Sequence, residues 1–390
     1  GFRGPVYCSR GTADLLKIML PDSARLQEEE ASYRNRHQLT RHRPALPLYT
    51  EQDADAALDL VEPQPNDGTM TEVAPGVRAG FRIAGHIFGS SLVLVEVADA
   101  GRDGAGRGIL FSGDLGHYDQ PIIHDPATPP ACDYMLVEST YGDRLHDPED
   151  PKDALARIIN ETAERGGTLL IPAFAVGRTQ ELVYFIRELE EEKRVPVLPV
   201  RVDSPMAAAV TQAYHRRKEE HDEEYASVLA RPQHPLRTHS MLTAATREES
   251  KRLNEERGPR IIISASGMMT AGRVLHHAQR ILPDEKSTVL FVGYQAAGTT
   301  GRRILDGQRE VRIFKQPVPV RCRVERIGGF SAHADWGEVL RWLAGMPSAP
   351  RRSFTTHGEP EAAQAMAAHI RDRFGWRVDA PRYGESIEIE

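Results

Sequence analysis

Short apolar runs rich in valine and isoleucine alternate along the chain with longer stretches whose apolar residues recur at helical spacing. Strands are predicted at 77–85, 91–98 and 108–112, and also at "PVYC" and "DYMLVEST". Two separate helices are predicted near the start, at "GTADLLKIML" and "ARLQEEEASYRNRHQL". This alternation predicts the α/β fold class.

The order of the predicted elements changes after residue 146. From "DPEDPKDALARIINETAERGG" to about residue 327, strands, loops and helices alternate strictly. The change predicts three segments, 1–146, 147–327 and 328–390, of which the middle one is a unit of its own.

The middle segment contains one motif three times. In each copy, an apolar strand is followed by a loop of small residues, then by Gly-Arg, then by a helix. The arginines are Arg178, Arg273 and Arg302. A helix N-terminus beside a guanidinium group suits a phosphate, and strands of an open α/β sheet share one carboxyl edge. We therefore expect three phosphate-binding sites along one edge of the sheet. A single Gly-Arg turn, however, is more often only a helix start with a salt bridge. Asp203 and Ser204 of "VDSPMA" belong to the same edge or simply cap a helix.

Histidines and carboxylates follow several predicted strands, each beside glycine or small residues. They are His86, Asp114, Glu138, His333 and His357. Taken singly, each is more often a hydrogen-bonded histidine, a turn aspartate or a cap. Together they form the ligand set of zinc or a similar divalent metal.

Seven motifs taken in order resemble the metallo-β-lactamase-fold RNA-processing nucleases of the β-CASP group: "AGHIFGSS", "FSGDLG", "VESTYG", "PAFAVGRTQE", "SGMMTAGR", "GGFSAHAD" and "THGEP". The resemblance implies a metallo-β-lactamase αββα sandwich, truncated at its N-terminus, made of 1–146 and the returning 328–390. It also implies a Rossmann-like β-CASP domain inserted at 147–327.

The resemblance also implies roles for individual residues in a two-zinc ribonuclease. His86, Asp114 and His357 are the implied metal ligands, with Asp114 bridging two zinc ions, while His333 and Glu138 handle the proton of the leaving group. Asp114, Glu138 and His333 form the expected catalytic set. Contacts to RNA phosphates are expected from Arg178, Ser266, Arg273, Arg302 and Ser331.

One strong motif of that group, His-x-His-x-Asp-His, does not occur in the 390 residues. We therefore expect an upstream stretch that carries it, and weak zinc binding and poor RNA cleavage by this chain alone. Two other functions stay open: a non-catalytic RNA-binding scaffold of a processing complex, and a hydrolase for small esters on the same fold.

The composition of the chain limits the partners and the cellular location that we expect. The net charge of −7 requires any RNA-binding surface to be a local patch. No run approaches the roughly 18 apolar residues of a membrane span, and we expect a cytoplasmic homodimer with RNA as its partner and no membrane partner. Three widely spaced cysteines without a CxxC pair predict neither disulfides nor a thiolate metal site.

Overall fold

The fold contains two large β-sheets packed with helices, in a computed structural model that describes residues 1–98, 106–229 and 234–388. The strands are β1 (Val6–Ser9), β2 (Val61–Gln64), β3 (Asp67–Ala74), β4 (Val77–Ile83), β5 (Ser91–Val97), β6 (Arg107–Phe111), β7 (Tyr134–Glu138), β8 (Thr168–Pro172), β9 (Val200–Asp203), β10 (Met241–Thr243), β11 (Arg260–Ser264), β12 (Thr288–Phe291), β13 (Glu310–Ile313), β14 (Gln316–Pro319), β15 (Arg323–Arg326), β16 (Arg352–Thr356) and β17 (Val378–Asp379). The helices are α1 (Arg10–Arg36), α2 (Glu51–Leu58), α3 (Pro151–Glu164), α4 (Arg178–Glu191), α5 (Pro205–Arg216), α6 (Glu223–Leu229), α7 (Arg247–Leu253), α8 (Val274–Ile281), α9 (Thr300–Leu305), α10 (Trp336–Leu343) and α11 (Pro360–Phe374). The predicted α/β class is confirmed.

The first sheet has the strand order β17-β16-β7-β6-β5-β4-β3. Its strands β3 to β6 pair antiparallel, whereas β7 pairs parallel with β6 and with β16. Strands from the two ends of the chain therefore meet in one sheet, as an insertion between them requires. Trp342 of α10 and Met366 of α11 belong to the same apolar cluster as Leu110 and Met135 of the sheet.

The second sheet has the order β10-β9-β11-β8-β12-β15 and is parallel throughout. Its central strands are continuous apolar runs because helices cover both faces of a parallel sheet. Along β8, Leu169 and Ile171 join one apolar cluster, and Leu170 between them joins another. All strands of this sheet lie between residues 168 and 326, and the boundaries at 146/147 and 327/328 stay predictions.

The prediction of two separate helices near the start of the chain is wrong, because α1 runs through Pro21 without a break. The helix begins where Ser9 accepts a hydrogen bond from the Thr12 amide. Leu15 before the proline and Ala24 after it are both buried, so packing favours one continuous helix. Tertiary burial here outweighs the local cost of an internal proline.

Two expectations from composition can be compared with the described residues. Cys8, Cys132 and Cys322 are free thiols, as their spacing predicts. Within 1–98, 106–229 and 234–388, no helix has both the length and the apolar character needed to cross a membrane.

Candidate active site

The strand-end histidines and carboxylates meet at one edge of the first sheet. β4, β6, β7 and β16 run in the same direction, because β4 and β6 are both antiparallel to β5 and the other pairings are parallel. Their carboxyl ends therefore share an edge. His86, Asp114 and His357 follow β4, β6 and β16, and Glu138 is the last residue of β7.

The Asp114 carboxylate lies between two imidazoles. Its Oδ1 is 3.1 Å from His357 Nδ1, and its Oδ2 is 3.8 Å from His86 Nε2. Burial, and then the charge of His333, lower the pKa of His86 to about 4, so this ring is neutral at pH 7. Neutral imidazole and carboxylate are zinc donors, and the two Asp114 oxygens lie within 3.8 Å of a ring nitrogen of His86 and of His357. The residues present therefore fit a divalent metal ion.

His333 pairs with buried Glu138 beside these candidate metal ligands. His333 Nδ1 is 3.1 Å from both Glu138 oxygens, and the Glu138 side chain is only 1% exposed. Burial alone would raise the pKa of Glu138, but hydrogen bonding to His333 lowers it. Burial alone would lower the pKa of His333, but the hydrogen bond to Glu138 raises it. Since the carboxylate only accepts, Nδ1 carries the proton and Nε2 remains for other contacts.

Glu138 is itself held in place by backbone amides. Its Oε1 accepts from the Leu115 amide at 2.6 Å, and its Oε2 accepts from the Thr140 amide at 3.4 Å. The His333 ring centroid is 4.3 Å from that of His86 and 5.8 Å from that of His357. The Glu138–His333 pair and the candidate metal donors thus occupy one site.

Three residues that the sequence did not single out fix the loop that carries His333. His146 Nε2 donates to the His333 carbonyl at 2.9 Å, and the His117 amide donates to the Ala332 carbonyl at 2.9 Å. Glu338 of α10 bonds His117 Nδ1 at 2.8 Å. Asp335 caps α10 in a capping box with Glu338. The capping-box spacing could have identified Glu338, whereas His117 and His146 carry no local signal.

Comparison with known proteins shows the family of the chain. The model of the Beta-Casp domain matches residues 179–304, and that of the Zn-dependent metallo-hydrolase RNA specificity domain matches residues 317–381. Ribonuclease TTHA0252 of Thermus thermophilus is 35% identical over the whole chain, which covers 83% of that relative. The chain belongs to the β-CASP family of metallo-β-lactamase-fold RNA nucleases.

More distant relatives of this β-CASP chain carry another name. Transcription termination factors FttA of Methanocaldococcus jannaschii and Pyrococcus horikoshii are 27% and 29% identical over the whole chain. The chain spans only 60% and 58% of their lengths. The resemblance therefore covers the matched part of each factor and not its whole length.

The five predicted phosphate contacts of the β-CASP chain do not all lie at one place. Arg178 and Ser331 line a cavity beside His333. Arg178 also forms an ion pair with Glu181. Burial raises the pKa of Glu181, although the positive charge of Arg178 acts in the opposite direction. Ser266, Arg273 and Arg302 are not among the lining residues of that cavity.

Arg273 and Arg302 have protein partners instead. Arg273 Nη1 donates to Asp203 Oδ1 at 2.8 Å and to the Ala244 carbonyl at 3.0 Å, while exposed Arg302 bonds Asp306 at 2.8 Å. Ser204 caps α5, which is the structural alternative left open for the "VDSPMA" turn. RNA contacts by these arginines and by Ser266 and Ser331 stay predictions.

Proposed function

We propose that this protein hydrolyses RNA phosphodiester bonds, with zinc held by His86, Asp114 and His357. His333 gives a proton to the leaving oxygen from Nε2, and Glu138 orients its ring through Nδ1. The observation that carries the proposal is the 3.1 Å contact of His333 Nδ1 with Glu138, set beside the Asp114 carboxylate between two imidazoles. A general acid needs this orientation and a reach into the site.

Zinc in this site supplies Lewis-acid activation of water and of phosphate oxygens. We propose that the complete site holds two ions, for which His86, Asp114 and His357 would supply ligands. His86, Asp114 and His357 provide three protein ligands, fewer than two ions of about four ligands each require. We therefore expect the 390-residue chain to bind zinc weakly and to cleave RNA slowly.

The experiment compares His357→Ala and His333→Ala by zinc titration against a chromogenic chelator and by cleavage of a labelled RNA at saturating zinc. We expect His357→Ala to weaken zinc binding at least tenfold. His333→Ala should keep the wild-type zinc affinity and lose cleavage about 10²- to 10⁴-fold, the usual contribution of a general acid.

The control is His42→Ala, because His42 is exposed and lies outside the site. It should match the wild type in both measurements. If His333→Ala and His357→Ala behave alike, the division of roles is wrong. If all four chains cleave RNA equally, the site is not the one that acts on RNA.

The RNA-binding scaffold is not favoured, because the site keeps the Glu138–His333 pair and the family consists of nucleases. A cytoplasmic homodimer remains part of the proposal, and sedimentation of the purified chain tests the oligomeric state.

A further inference from the structure

A cavity of about 400 Å³ opens beside His333 and has largely apolar walls. It shares His86 and His333 with the proposed active site. Pockets for small ligands measure about 300–1,000 Å³ and have apolar walls with a few polar groups. This cavity is at the lower end of that range, which suits one nucleoside better than a longer ligand.

One wall of the cavity comes from the second sheet. Phe174, Met268 and Tyr294 follow β8, β11 and β12, which are adjacent parallel strands. Their carboxyl ends share an edge, so the loops that follow them converge. His86, which follows β4 of the first sheet, lines the same cavity, so the lining residues come from both sheets.

Phe174 is the unusual residue of this wall. It is 48% exposed although its neighbours Ala173 and Ala175 are buried. An aromatic ring left open at the mouth of an apolar cavity offers a flat face to a ligand. Nucleobases stack on such rings in proteins that bind single-stranded nucleic acid.

The Phe174 ring is held in position by its surroundings. The Phe174 carbonyl accepts from the Thr179 hydroxyl at 2.7 Å, which fixes the loop. A Cβ atom at Gly267 would lie 3.1 Å from two ring carbons of Phe174, so the ring packs directly over this glycine. Any larger residue at 267 would displace the ring.

The charges of the cavity favour a base over a phosphate. Arg178 and Glu181 both line it and form an ion pair, so the arginine is neutralised within the wall. A phosphate group gains little from a compensated guanidinium, whereas a zinc ion held by His86, Asp114 and His357 would attract it. We therefore expect the backbone of a bound strand at the zinc site, with its base directed into the cavity.

We propose that this cavity is a subsite for the nucleobase next to the scissile phosphate, with Phe174 as its stacking surface. The proposal rests on the proposed function, because the scissile phosphate must lie at the metal donors. It adds a contact to the base, which the metal ligands and the Glu138–His333 pair do not supply.

The test uses tetranucleotide RNAs that carry 2-aminopurine at one position each, with binding followed by the quenching of its fluorescence on stacking. For one position we expect strong quenching by the wild-type chain. Phe174→Leu keeps an apolar side chain without an aromatic face and should weaken binding roughly 5- to 150-fold, with loss of quenching. Gly267→Ala should give a smaller change in the same direction because it shifts the ring.

The matched control is Phe314→Leu, since Phe314 is 49% exposed but lies between β13 and β14 and is not among the cavity's lining residues. It should bind and quench as the wild type does. RNA binding without quenching at any position, or an unchanged affinity of Phe174→Leu, overturns the base subsite while leaving the nuclease proposal intact. A wild-type chain that binds none of the RNAs counts against both.

Discussion

Glu338→Gln tests whether the loop that carries His333 depends on a carboxylate at the start of α10. Glu338 Oε1 accepts from the Tyr118 amide at 3.0 Å, and Oε2 accepts from the Asp335 amide at 3.1 Å. Glutamine has one acceptor oxygen, so one of these amides would face an NH₂ group. An unsatisfied buried donor costs about 1–3 kcal/mol, and losing the charged bond to His117 adds to this. We expect a loss of about 2–4 kcal/mol near pH 6.

The pH dependence of this loss follows from the two pKa shifts. The bond to His117 lowers the pKa of Glu338 against the opposing effect of burial, so its stabilisation is lost as pH falls through the folded-state pKa. The bond to Glu338 raises the pKa of His117, again against burial, so that stabilisation is lost as pH rises through its folded-state pKa. The cost of Glu338→Gln should therefore be greatest between about pH 4.3 and 6.5, the ordinary pKa values of the two groups.

Urea unfolding of wild type and variant at pH 5, 6 and 8 measures this difference. The control is Glu361→Gln, because Glu361 is exposed and also lies in the first turn of a helix. Its cost should stay below about 1 kcal/mol, the usual value for a charge near a helix N-terminus. A Glu338→Gln cost equal to that of the control at pH 6, or one that increases steadily to pH 8, would refute the reasoning.

Two further pairs of variants separate structural from surface positions. Arg273→Ala should lower the free energy of unfolding by about 1–3 kcal/mol, because it removes a donor from Asp203, which is fully buried; urea unfolding measures this. Arg302→Ala should leave stability unchanged, and if Arg302 contacts a phosphate it should reduce the salt slope of RNA binding by about 1 in a titration series. Gly89→Ala should cost more than about 2 kcal/mol, because φ is +78° and the new Cβ would lie 2.3 Å from the Thr12 amide. Gly76→Ala has φ +71° but only one neighbour, at 3.7 Å, and should cost about 1 kcal/mol in the same unfolding assay.

The position of the site could be predicted from the sequence because it depends on strand ends. His86 and Asp114 lie three residues after β4 and β6, His357 directly follows β16, and the directions of these strands bring the three residues to one edge. The contacts of Glu338 with His117 could not be predicted, since they join residues 221 positions apart. No local pattern encodes such a pair, so it is visible only in the folded chain.

The three Gly-Arg turns show a second limit of sequence reasoning. They look alike along the chain, but each guanidinium has a different partner: a carboxylate one helical turn away for Arg178, a buried carboxylate 70 positions away for Arg273, and an exposed one for Arg302. The loop pattern fixes where a helix begins. The partner decides whether the charge is available to a ligand, and that partner depends on the fold.

In the two proposals, catalysis and base recognition depend on different sheets. The proposed metal donors and Glu138 follow or end strands of the first sheet, whereas Phe174 and Tyr294 belong to loops of the second. A substitution in the second sheet's wall can therefore change how a base is held without moving His333 or its carboxylate. Phe174→Leu should accordingly raise KM for RNA more than it lowers kcat, whereas His333→Ala should act mainly on kcat.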